Sequence, residues 1–290
     1  MSKKKQHTPL PFRILFASFP FLEKYLPSFA RFLVVRLFFT PFRFKPRPGE
    51  ESLLKKSTEF ELQINGNKVL GRFWGKGPIA ILVHGWSGRG MQLRYFVEPL
   101  LAEGFQVITF DAPGHGRSQG KDSSLLEFHD TLVEIQKQFG DFELGIGHSL
   151  GGASLLYSSK EGLCVNQLIT ISTPVLPERI VTEFLRRINA SEKMSSSIDN
   201  YVLKRTGNPF DYYSGIKNVT FLRDKAILAF HDHDDKEAEI EHAFAMREVH
   251  GNVELIETYK LGHNRILKSE LVINGIRKKA EQLQNRTITH

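Results

Sequence analysis

Apolar and polar residues alternate over residues 58–64 and again over 67–74, with Asn65-Gly66 between the two runs. A period of two marks strands with one buried face, and Asn-Gly is a dipeptide that closes a two-residue hairpin. Short, almost wholly apolar runs follow at 79–83, 105–110, 142–146, 168–172, 226–230 and 253–257. Runs of that length suit strands buried on both faces of a parallel sheet. Helical spacing fills the intervals near 90–103, 123–139, 150–160, 237–250 and 265–284. The alternation predicts an α/β fold, a mostly parallel central sheet flanked by helices. Residues 175–220 break the rhythm with polar, helical sequence and loops. An insertion of that length reads as a small helical cap over the C-terminal edge of the sheet.

Ahead of this body the pattern is different. Lys3, Lys4 and Lys5 precede an apolar run, Ile14 to Leu22, as in a signal peptide. Pro20 interrupts that run, Glu23 ends it, and no small-residue cleavage site follows. The run is too short to span a bilayer, and the next one, Phe29 to Phe39, is broken by Arg31 and Arg36. No transmembrane helix and no secretion are expected, which gives a cytoplasmic location. Ser28 can cap a helix running to about Phe39, with Pro41, Pro46 and Pro48 ending it. Ten of the 23 phenylalanines lie between Phe12 and Phe44, interleaved with Arg and Lys. Such an arm either packs its rings on the body or, through residues 10–48, touches anionic lipid headgroups. The expected division is an arm over 1–50 and a body over 51–290, with the cap at about 175–220.

Charge sharpens that division. The net charge of +7 divides into +9 on residues 1–48 and −2 on residues 49–290, so the body does not read as a nucleic-acid binder. At 290 residues and 41% apolar, the chain is long enough for one domain with a sizeable core. A single cysteine, Cys164, excludes an internal disulfide, fits a reducing compartment and reads as a small core residue.

Candidate chemistry sits where the apolar runs end. Gly147-His148-Ser149-Leu150-Gly151 follows the 142–146 strand and opens a helix. That is the G-x-S-x-G nucleophile elbow in its required context: small residues permit a sharp strand-to-helix turn that projects the serine Oγ above the sheet. Ser149 is the candidate nucleophile. His84-Gly85-Trp86, followed by Ser87-Gly88-Arg89-Gly90, ends the 79–83 strand. A glycine-rich turn there lets a backbone N–H face the serine, and an oxyanion needs two such donors. They are assigned to the N–H groups of Trp86 and Leu150, leaving the Trp86 side chain free to line an acyl pocket.

Asp111-Ala112-Pro113-Gly114-His115-Gly116-Arg117-Ser118 ends the 105–110 strand. With this loop in place, residues 60–285 resemble the α/β-hydrolase superfamily of esterase-, lipase- and peptidase-like enzymes. There an H-G loop, a D-x-P-G-x-G-x-S loop and a G-x-S-x-G elbow occur in this order. The resemblance implies the α/β-hydrolase fold and a structural role for the Asp111–Ser118 loop, so Asp111 and His115 stay outside the catalytic set. The acid should follow a late strand, where Asp232, Asp234 and Asp235 all stand. The family's G-x-x-D pattern falls on Asp232 to Asp235 and implies Asp235 as the acid. An aspartate where glycine is usual keeps Asp232 and Asp234 as alternatives. Gly262-His263 matches the family's histidine position, which implies His263 as the base; its competitor His250 lies between a helix and a strand, facing away.

The resemblance therefore implies a serine hydrolase acting on a small acyl substrate through Ser149, His263 and Asp235, without metal or organic cofactor. The default substrate is a carboxylic ester, with thioesterase or acyltransferase chemistry as alternatives. Three other readings compete. His231-x-His233-x-Asp235 resembles the start of the H-x-H-x-D-H ligand run of metallo-β-lactamase-type enzymes, although Lys236 occupies the sixth position. A non-catalytic ligand-binding protein uses the same fold without turnover. In the third, the chain is a scaffold or membrane-tethered protein acting through its N-terminal arm.

Overall fold

Asn65 (φ 48°) and Gly66 (φ 76°) both adopt left-handed backbone, as a type I′ turn requires. They join β1 (Thr58–Ile64) to β2 (Asn67–Trp74) in an antiparallel hairpin. The computed structural model that shows this describes residues 10–44 and 49–288; Lys3, Lys4, Lys5, Pro46 and Pro48 lie outside them. The apolar runs form β3 (Ile79–Val83), β4 (Gln106–Asp111), β5 (Phe142–His148), β6 (Val165–Ile171), β7 (Ile227–Asp232) and β8 (Val253–Thr258). Together they make one eight-stranded sheet in the order β1-β2-β4-β3-β5-β6-β7-β8. β2 pairs antiparallel with β1 and β4; every other pairing is parallel.

The helices are α1 (Leu10–Tyr25), α2 (Pro27–Phe39), α3 (Glu51–Lys55), α4 (Val97–Ala102), α5 (Leu125–Phe139) and α6 (Leu150–Lys160). Then come α7 (Pro177–Arg187), α8 (Ser195–Thr206), α9 (Gly215–Thr220), α10 (Glu241–Val249), α11 (Gly262–Arg265) and α12 (Glu270–Ile288). Both sheet faces are covered, which is why the central strands carry no polar alternation. Ala80 and Leu82 of β3 join Leu93, Phe96, Leu144 and Ile276 on one face. Ile79, Ile81 and Val83 join Phe128, Leu132 and Leu155 on the other.

The described residues form two compact units, 10–39 with 177–212, and 40–44, 49–176 and 213–288. In the first, Phe38 meets Phe184 of α7 edge-on at 4.9 Å, Phe39 packs on Tyr201 of α8, and Glu23 accepts the Ser191 N–H at 2.6 Å. The second unit holds the whole sheet. It also takes in α9, whose Val219 is fully buried in its core, and residues 40–44, where Arg43 donates to the Gly116 and Gly120 carbonyls. No helix among the described residues is long and apolar enough to cross a membrane.

α1 runs through Pro20, losing the single N–H bond that proline cannot donate. Two local expectations need correction. α2 begins with Pro27 at its first position, where the missing N–H would be unpaired in any case, so Ser28 is not its cap. Cys164 is exposed rather than a core residue. It lies just before β6, and its neighbours Leu163 and Val165 take the inward positions.

Helix α6 approaches the end of β3 at Gly151, where an added Cβ would overlap the Val83 carbonyl. Backbone meets backbone there, so no side chain can yield. Gly151→Ala is expected to cost about 3 kcal/mol in urea denaturation. Gly251→Ala, with nothing within 4 Å of its Cβ position, should stay within about 0.5 kcal/mol of wild type.

Candidate active site

Between β5 and α6 stands Ser149, with φ 53° and ψ −123°. A non-glycine residue held there is strained, and the surrounding backbone fixes it. Its N–H donates to the Ile171 carbonyl at 2.9 Å, and its own carbonyl accepts the Gly152 and Ala153 N–H groups at 3.0 and 3.2 Å. The turn closes because a Cβ is absent at three positions. At Gly147 it would strike the backbone of Gly151 and Gly152, at Gly151 the Val83 carbonyl, and at Gly152 the Thr173 hydroxyl. The serine is half-buried at the N-terminus of α6, where unpaired N–H groups and the helix dipole favour negative charge.

The loop after β3 reaches the same point. A Cβ on Gly85 would lie 3.0 Å from both Ser149 Cβ and His148 Nδ1, so the loop comes closer here than a side chain fits without a shift of its neighbours. The Gly85 N–H donates to Gln92 Oε1 at 2.9 Å, and its carbonyl accepts the Gly88 N–H at 2.9 Å. Ser87 Oγ accepts the Phe42 N–H, and Arg89 pairs with the buried Glu50 carboxylate. This bracing holds Trp86 in the turn. Its indole packs edge-on against His115 at 5.3 Å, so the side chain has a partner besides any pocket it lines. The Asp111–Ser118 loop is bound up with itself and with the neighbouring loop: Asp111 accepts the Gly90 and Arg117 N–H groups, and Ser118 Oγ donates to the Asp111 carbonyl.

The three aspartates that end and follow β7 do three different jobs. Asp235 Oδ2 lies 2.8 Å from His263 Nδ1, while its Oδ1 accepts the Glu237 and Ala238 N–H groups at 2.8 and 3.0 Å. Burial pulls this carboxyl's pKa up, but the His263 hydrogen bond and charge, with the two amides, outweigh it and hold it below the ordinary range. Asp232 is fully buried and accepts from the Asp234, Leu261 and Gly262 N–H groups and the Thr258 hydroxyl. Its pKa is also lowered, burial being overcome by the Gly262 amide and those other donors. Asp232 thus clamps the loop that carries His263, and Asp234 accepts the Lys260 N–H on the same loop.

His263 is further tethered to the elbow. Its carbonyl accepts a hydrogen bond from His148 Nε2 at 2.8 Å, and the two rings lie 4.7 Å apart. Ser149 Oγ and His263 share no hydrogen bond among the described residues. The H-x-H-x-D run does not converge. His231 Nε2 donates to the Ala238 carbonyl and His233 Nε2 meets Glu257, while Asp235 faces His263. His250 is buried against the Leu222 carbonyl, before β8.

A family model described as the alpha/beta hydrolase family matches residues 80–254, more than half of the chain. The chain belongs to that family. A serine hydrolase-like protein of Danio rerio is 21% identical over 74% of this chain and 66% of its own length. Est1E of Butyrivibrio proteoclasticus, solved with ferulic acid, matches at a TM-score of 0.63 and 20% identity over 80% of this chain and all of its own. An esterase of Pyrococcus furiosus matches at 0.60 and 17% over 86% of this chain and 97% of its own. The chain spans less than two thirds of the curated relatives it matches: 66%, 27% and 54% of their lengths.

In this alpha/beta hydrolase, sequence reasoning passed over His148 and Gln92 and weighed Asp232 only as an alternative acid. His148 stands beside the serine inside G-x-S-x-G, which is the one signal available for it. Nothing in spacing marks Gln92. Three buried histidines surround the elbow, and burial pushes their pKa values down to about 4 for His84 and about 3 for His115 and His148. His84 is neutral by its bonds too: Nδ1 donates to the Gly85 carbonyl and Nε2 accepts the Ala112 N–H.

These three histidines make stability depend on pH. Below about pH 6.5 the unfolded chain takes up protons that the folded chain refuses. Stability is full above that value and falls as pH drops, down to about 4 for His84 and about 3 for His115 and His148, by about 2 kcal/mol per buried histidine at pH 5. Urea denaturation at pH 7.5 and 5.0 checks this, with a clearly lower midpoint expected at pH 5.0. Both lowered carboxylates lose their contribution only below about pH 4, outside that window.

Proposed function

We propose that the protein is a serine hydrolase that cleaves a carboxylic ester through an acyl-enzyme intermediate, with Ser149 as nucleophile, His263 as general base and Asp235 as its orienting acid. The observation that carries this reading is the 2.8 Å contact of Asp235 Oδ2 with His263 Nδ1, on a loop tied to the elbow by His148. Asp235 keeps the proton on Nδ1, which leaves the Nε2 lone pair to take the Ser149 Oγ proton as Oγ attacks the acyl carbon. The positive charge that then forms on His263 is stabilised by the carboxylate. The backbone N–H groups of Trp86 and Leu150 receive the developing oxyanion, helped by the N-terminus of α6. His263 returns the proton to the leaving alkoxide, the C–O bond breaks, and water activated by the same histidine releases the acid and regenerates the serine hydroxyl. The names of relatives support the ester: a pimeloyl-[acyl-carrier protein] methyl ester esterase of Sodalis glossinidius is 35% identical over 72 residues.

Hydrolysis of p-nitrophenyl esters of graded acyl length tests the reading. Wild type should turn over at least one, and Ser149→Ala should lose about 10⁴-fold or more in kcat with little change in KM. Ser149→Ala retaining wild-type turnover would overturn the proposal. Asp235→Asn should lose about 10³- to 10⁴-fold in kcat. Asp232→Asn should lower the melting temperature, because a buried clamp of the His263 loop loses its charge.

A further inference from the structure

Helices α1 and α2 carry more apolar surface than their own unit uses. Phe19, Ala30, Val34 and Phe39 are buried, which satisfies the inward faces. A second apolar set faces solvent: Ile14, Phe21 and Tyr25 on α1, Leu26 in the joint, and Phe29 and Phe32 on α2, all about half exposed or more. Ile14, Phe21 and Tyr25 are spaced i, i+7, i+11 and so share one helix face. Ala17, beside them on it, is exposed as well. Phe21 and Tyr25 touch at 4.6 Å, and Phe29 stacks with Phe32 at 6.4 Å, so the surface is built of ring clusters rather than scattered single residues. A contiguous exposed apolar surface marks an interaction site.

Charge decides what it meets. Arg13, Lys24 and Arg31 are exposed on these two helices, and Lys24 Nζ lies over the Tyr25 ring at 5.0 Å. The one carboxylate of the segment, Glu23, is turned to the other side of α1, where it accepts the Ser191 N–H. The apolar face is thus flanked by cations and carries no acid. A second copy of the chain would bring the same cations against their own counterparts, which disfavours self-association. An anionic phospholipid surface complements both features, taking the rings at the headgroup boundary and the cations at the phosphates. We propose that the outer face of α1 and α2 docks peripherally on anionic phospholipid bilayers.

Flotation of the full chain with phosphatidylglycerol–phosphatidylcholine vesicles, and with pure phosphatidylcholine vesicles, tests the proposal. Binding to the anionic vesicles should be at least about ten-fold tighter and should weaken as salt is raised. Phe21→Ser/Phe29→Ser/Phe32→Ser and Arg13→Glu/Lys24→Glu/Arg31→Glu should each reduce it by about ten-fold or more. Their melting temperatures should stay near wild type, because every altered side chain is exposed. Vesicle binding that neither variant reduces would overturn the proposal. So would an absence of vesicle binding, whether or not the chain pairs with itself at rising concentration.

Discussion

The backbone at Ser149 holds a conformation that costs on the order of 1–3 kcal/mol for a residue with a Cβ, and the architecture around it exists to sustain that cost. β5 lies inside the sheet between β3 and β6, so the turn after it is anchored on both sides. The Ile171 carbonyl of β6 takes the serine N–H, and the Val83 carbonyl of β3 lies where a side chain on Gly151 would have to go. Four glycines, at 85, 147, 151 and 152, are the residues whose missing side chains let three backbone segments meet at one point. Apolar packing on both faces of β3 and β5 supplies the stability that the strained turn spends.

Electrostatics around the turn divide by burial and by partner. Asp232 and Asp235 are both buried and both held below the ordinary carboxylate range, yet they act on different atoms. One binds the backbone of the His263 loop and the other binds the imidazole itself. The loop and the side chain are thus held by separate carboxylates. His148 adds a third hold from the elbow side, through the His263 carbonyl. The neutral histidines 84, 115 and 148 fill polar positions beside the site without bringing charge into it.

Much of this was legible in the sequence because the relevant signals are local. The hairpin followed from Asn65-Gly66, the buried strands from their apolar runs, and the elbow from glycines flanking a serine at a strand end. Choosing Asp235 over Asp232 was not local. Both stand at the end of one strand, and which faces His263 depends on how residues 232–238 turn, so family resemblance was needed to separate them. Cys164 was misread because a small apolar residue beside a strand can fall on either side of it. Residues 175–220 read as one insertion, whereas 177–212 group with α1 and α2, and α9 packs with the sheet. Such long-range grouping leaves no mark on residue spacing. The surplus phenylalanines of residues 12–44 were visible as a count, but which of them face solvent depends on the packing of α1 and α2.

The claim at the centre is that Ser149 is an activated nucleophile. The most direct measurement is reaction of the folded chain with a fluorophosphonate probe, followed by mass-spectrometric mapping of the modified peptide, on wild type and His263→Ala. The account predicts one adduct per chain, on Ser149, formed at least about 10²-fold more slowly when the base is removed. A folded wild-type chain that forms no adduct, or forms it on another residue, would contradict it.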